Sequence, residues 1–141
     1  MECRLYLEDA PGGAAYGSDE KVDLGGNWEA MNFLLTGARE PDGSVASLLV
    51  EDWPDVGGGE AGMIDAAALA LFHSWLATQD DDELLGHFDP DAMAALNIYR
   101  APALQADPAS ARENLAQILT SLRVFAARGA EIGSAAIRVI N

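Results

Sequence analysis

The chain has 141 residues, half of them hydrophobic, with 8 basic and 23 acidic side chains and a formal net charge of −15. That length suits one domain with its own core, and the composition excludes intrinsic disorder. So acidic a surface repels phosphate backbones and anionic headgroups, which argues against nucleic acid or membrane as partner; beyond keeping the chain soluble, it attracts basic protein surfaces.

Residues 3–8, CRLYLE, place Leu5 and Leu7 on one side and Tyr6 on the other, as a short strand does. The start lacks the basic and apolar regions of a signal peptide, and no run approaches the roughly 20 apolar residues that span a bilayer. The lone cysteine, Cys3, allows no intrachain disulfide and fits a cytoplasmic, reducing setting. Residues 9–26 hold five glycines and a proline and read as a loop. In residues 27–37, NWEAMNFLLTG, Asn27 suits an N-cap and Gly37 the position after a helix end. Trp28, Met31, Asn32 and Leu35 share one face between them, and Phe33 and Leu34 cover much of the rest. Glu29 alone seeks solvent, so the helix should be buried.

Pro41-Asp42-Gly43 centres a turn. Residues 45–51, VASLLVE, read as a buried strand, and residues 52–62 as a loop whose glycine triplet precedes a helix. Asp65 caps that helix, which turns Leu69, Phe72, His73 and Leu76 inward. The acids at 80–83 open a short helix, and Asp89-Pro90 opens another that Asn97 ends. Residues 100–106 read as a loop. Asp107-Pro108 opens the longest helix, with a stripe of Leu115, Ile118, Leu119, Leu122, Phe125 and Ala126, and Gly129 stops it. Residues 135–140, AAIRVI, read as a closing strand. This order predicts one α/β or α+β domain over residues 1–141, a small mixed sheet covered by helices.

NWEAMNFLLTG resembles the tryptophan-to-LLTG block of the YfbM-like family, a bacterial domain of unknown function. Three further features are similar to that family in the same order: the glycine-rich 57–62, HFDPDAM at 87–93 with Ile98-Tyr99, and the long last helix with its following strand. The likeness covers about residues 24–141. It implies an α/β sandwich-like fold and supplies no catalytic residue. The chain departs from the family pattern at Gly25 and Gly26, where an Asp-Lys pair is usual. It departs also at Asn32, where histidine is common, and at Arg100, where proline often stands.

No metal, cofactor or catalytic residue is expected. His73, His87 and Cys3 have no metal-ligand spacing, and no Gly-x-Ser-x-Gly elbow occurs. The stretch VGGGEAGM at 56–63 lacks the lysine of a phosphate-binding loop and is ringed by acids. Two surfaces remain. Asp80, Asp81, Asp82 and Glu83 exceed what a cap requires, and form either a solvated corner or an anionic contact patch. Trp53, between Asp52 and Asp55, is either an interface hot spot or an indole folded back over the core. These features suit a non-catalytic acidic binding protein with a basic protein partner. Its sharpest form is an immunity-type inhibitor that neutralises a toxin by covering its basic active face. The alternative is a small-ligand-binding protein or enzyme with a pocket at Trp28, Asn32, His73 and Tyr99. A buried amide must be hydrogen-bonded, so whether Asn32 meets only local partners or faces a cleft bears on that choice.

Overall fold

The computed structural model describes residues 1–8, 20–57 and 59–141. The strands are β1 (Cys3–Leu7), β2 (Lys21–Gly25), β3 (Asp55–Gly57), β4 (Ala61–Ile64) and β5 (Ala136–Ile140). The helices are α1 (Trp28–Thr36), α2 (Ala66–Leu76), α3 (Asp81–Gly86), α4 (Pro90–Ala95), α5 (Ala101–Ala106) and α6 (Pro108–Ile132). The strands form one sheet in the order β2-β1-β5-β4-β3. Every ladder is antiparallel, so the small helix-covered sheet is antiparallel throughout, where a mixed one was expected. The last strand lies at its centre, between β1 and β4.

Alternation along the strands selects the covered face. Cys3, Leu5, Leu7, Val22, Leu24, Ile64 and Ala136 are buried under the helices, while Arg4, Lys21 and Asp23 point the other way. The buried residues of sheet and helices form one hydrophobic cluster. α1 is buried nearly all round, as its composition predicts. Its Glu29 is an exception to expectation: the side chain turns in, and Oε1 accepts from the Tyr99 backbone N–H at 3.0 Å.

The aspartate caps form where expected. Asp65, Asp80, Asp89 and Asp107 each accept a backbone N–H from the first turn of their helix. Asn27 does not cap α1. Its Nδ2 donates instead to Asn114 Oδ1 on α6 at 2.8 Å.

Several expectations are corrected. In the expected loop 9–26, residues 9–19 lie outside the described residues, and β2 occupies 21–25. Val22 and Leu24 do alternate with Lys21 and Asp23, but that signal is short and needs β1 as a partner. Residues 45–51 are not a strand: Val45–Ser47 is a 3-10 turn followed by further turn. Ser47 N–H donates to Ser44 O, and the Val50 and Glu51 N–H groups to Ser47 O, so local bonds win where no neighbouring strand is offered. The expected loop 52–62 is largely the β3–β4 hairpin, and the helix follows β4 rather than the glycines. Residues 100–106 form α5 after Arg100, which sits at φ 67°. Finally, α6 runs through Gly129 and ends at Gly133, whose φ of 67° is the left-handed turn of a helix end. Gly129 is a packing residue: a Cβ there would lie 2.4 Å from Leu69 Cδ2 and 3.0 Å from Leu7 Cδ2.

Candidate functional site

Of the residues expected to line one pocket, Trp28 and His73 border different cavities. Trp28 borders a cavity of about 150 Å³ with Glu29, Arg39, Glu40, Pro41 and Val50. His73 borders a different one of about 270 Å³ between α2 and α6, beside Val124 and Ala127. His73 is half-buried rather than part of the inner face that Leu69, Phe72 and Leu76 form. Asn32 is fully buried; its Nδ2 donates to Ala38 O at 3.1 Å and to Thr36 Oγ1 at 3.4 Å. Nδ2 thus holds its own helix and the turn after it, while Oδ1 is buried without a hydrogen-bond partner among the described residues. Tyr99 is held by Glu29 through its N–H, and its hydroxyl accepts from the Met1 amino group at 2.8 Å.

A more polar cavity, about 310 Å³, lies at the start of α1 between Asp23, Gly25, Asn27, Arg100 and Asn114. A Cβ at Gly26 would meet Arg100 Cδ at 2.5 Å, so a side chain there would displace the exposed arginine. Gly26 and Arg100, two positions of departure from the family pattern, therefore touch: the arginine fills the space a side chain at 26 would take.

Of the acids at 80–83, Asp80 caps α3 and Asp81 binds Arg123 Nε at 2.6 Å. Asp82 and Glu83 stay exposed. Two of the four are thus engaged by the fold itself.

Trp53 is folded back and still takes part in a surface. Its Nε1–H donates to Leu48 O at 2.8 Å, which fixes the half-buried indole against the core. Gly62 lets it come so close, since a Cβ there would sit 3.0 Å from Trp53 Cβ. Beneath, Arg138 on β5 donates through Nη1 to Leu49 O at 2.9 Å and Glu51 O at 2.7 Å. Burial pushes the Arg138 pKa down, and Asp52 opposes that shift. The exposed side of Trp53 forms one wall of a groove of about 220 Å³ with Val45, Leu48, Ala68 and Leu71, and Glu51 and Asp52 stand at its rim. Glu51 is held by the Gly43 N–H at 2.9 Å and by the Ser47 hydroxyl. Asp52 and Asp55 are exposed. Sequence reasoning named Trp53, Asp52 and Asp55 but missed Val45 and Leu71. The available signal was α2 itself, AAALALFHSWL, which has no acidic residue, lysine or arginine on any face.

Cys3 is buried, and desolvation pushes its thiol up to about 12 from the usual 9.0. The fold favours the protonated thiol, so the stability it contributes is complete below the unfolded pKa and is lost as pH rises through 9 toward 12. From about pH 8.5 to about pH 10.5, the wild type should lose about 2 kcal/mol more than Cys3→Ala in urea unfolding. Parallel curves for the two proteins would show that the thiol is free to ionise in the fold.

Among the described residues, no group of three histidine, cysteine, aspartate or glutamate side chains could hold a metal ion, and no helix is long and apolar enough to cross a membrane. Residues 6–139 match the model of a domain of unknown function, DUF1877, so the match reaches further forward than the motifs do, into the first strand. No curated protein matches the sequence. The chain is similar to the solved structure of YfbM from Escherichia coli, a protein of unknown function. The TM-score is 0.72 at 18% identity, over 100% of both chains, a likeness of fold.

Proposed function

We propose that this chain, which belongs to the YfbM-like DUF1877 family of domains of unknown function, is a non-catalytic acidic binding protein of the cytoplasm with a basic protein partner. The observation that carries the reading is how the few cations are placed. Arg4, Arg39, Arg123 and Arg128 each pair with an acid of the same chain, while Lys21, Arg100 and Arg112 are exposed. Arg138 is turned inward onto carbonyls. With 23 acids against 8 bases, the surface keeps a large anionic surplus, and Asp52 and Asp55 lie exposed beside Trp53. Such a field accelerates capture of a cationic surface and disfavours neutral or acidic ones. An immunity-type inhibitor that covers the basic active face of a toxin is the form of partner this chemistry suits best. Affinity capture from a native lysate, read by mass spectrometry, should recover a basic protein at low salt and less of it at high salt. The double variant Asp52→Lys/Asp55→Lys should lose it at both. Recovery of no basic protein at either salt overturns the proposal.

A further inference from the structure

We infer that the groove between Trp53 and α2 seats one apolar side chain of a basic segment, with flanking lysine or arginine residues lying along its acidic rim. The inference rests on the binding reading above and adds where and how the partner is held. Leu71 is 58% exposed and Val45 37%, two of the few large apolar side chains so placed among the described residues, and both line this groove. Isolated exposed leucines are ordinary, but paired ones in a concavity beside an immobilised tryptophan mark an anchor pocket. The wall is built before any partner arrives, because the indole N–H is held by Leu48 O and Glu51 by the Gly43 amide and the Ser47 hydroxyl. About 220 Å³ is room for a branched aliphatic side chain rather than a cofactor. The occupant must be cationic around its anchor, since Glu51 and Asp52 line the groove and Asp55 lies just beyond it. A second copy is disfavoured for the same reason, as each carries a net charge of −15.

The probe is a synthetic peptide, Lys-Lys-Leu-Lys-Lys with blocked ends, titrated into the isotope-labelled full chain at low salt. The expected result is amide and indole shifts at Val45, Leu48, Asp52, Trp53 and Leu71, with affinity about tenfold weaker when leucine is replaced by alanine. Leu71→Asp, at an exposed position that keeps the fold, should lose binding by a similar factor, whereas Val124→Asp, at an exposed position of α6 beside a different cavity, should not. Three results overturn the inference while the charge-led reading stands: equal affinity for the leucine and alanine peptides, shifts centred on residues 80–83, or equal effects of the two variants. A Glu-Glu-Leu-Glu-Glu peptide that binds as tightly as the lysine peptide overturns the charge-led reading and leaves only an apolar slot. Self-association at rising protein concentration with the same shifts assigns the groove to a second copy instead. No shift with the lysine peptide at millimolar concentration also overturns the inference.

Discussion

Gly129→Val is expected to lower the stability of the fold by about 3 kcal/mol, the upper part of the range for overpacking a tight core. The residue sits on α6 where that helix crosses α2 and the sheet, and its missing side chain is what lets them approach. The first added carbon would lie 2.4 Å from Leu69 Cδ2 and 3.0 Å from Leu7 Cδ2, and both leucines are almost completely buried with little room to rotate. Valine adds two more carbons in the same space. Gly129→Ala should fall between wild type and valine, because alanine recovers about 1 kcal/mol of helix propensity while keeping the first contact. In thermal unfolding the valine variant should melt roughly 10 °C lower. An alanine variant more stable than the wild type would mean that the crossing has slack and that the glycine serves no packing purpose.

Arg123→Ala should cost a comparable amount, about 3 kcal/mol, since one guanidinium closes three contacts at one corner, of which only that to Leu76 O has a second donor. Nε meets Asp81 Oδ1 at 2.6 Å, Nη1 meets Leu76 O at 2.7 Å, and Nη2 meets Gln79 O at 2.7 Å. These acceptors belong to the start of α3, the end of α2 and the turn between them, so the arginine fastens that corner to α6. The carbonyls at the end of α2 are among those a helix leaves unpaired. Leu76 O also accepts the Gln79 N–H at 3.0 Å, so the loss falls mainly on Gln79 O and on Asp81. Arg123→Lys should recover less than half of the loss, because an ammonium cannot reach three diverging acceptors in a planar fork. Denaturant unfolding gives the size of the effect, and amide exchange gives its place: protection should fall first at residues 76–86. A loss that vanishes in high salt would mean that Asp81 alone carries it.

How far the sequence could be read depended on how local the determinant was. The caps at Asp65, Asp80, Asp89 and Asp107 were legible because a side-chain oxygen bonds an N–H three residues on, whatever the rest of the chain does. The stripe of α6 and the wholly apolar α1 were legible from helical periodicity. The end of α6 was not. Gly129 and Gly133 look alike in sequence, and only the presence of Leu69 and Leu7 makes one a contact and the other a terminus. β2, β3 and β4 are five residues or fewer, and a strand that short gains its hydrogen bonds from a partner elsewhere in the chain. Residues 45–51 show the converse, an apolar run with strand composition that receives no partner and turns on itself.

The candidate surface divides the same way. Charge, the acids around Trp53 and the lack of metal-ligand or nucleophile motifs are properties of composition and order, and the sequence alone determined them: an acidic helix-and-sheet domain of the YfbM-like kind. The folded chain decided which acids are engaged: Asp80 caps a helix, Asp81 meets Arg123 and Asp55 accepts the Gly57 and Gly59 N–H groups, all of them still exposed like Asp52. It also decided that Trp53 is both packed and part of a surface, and that Leu71 stands beside it. Those outcomes turn on contacts between segments far apart in the chain, formed in burying one common core, and local propensity carries no record of them.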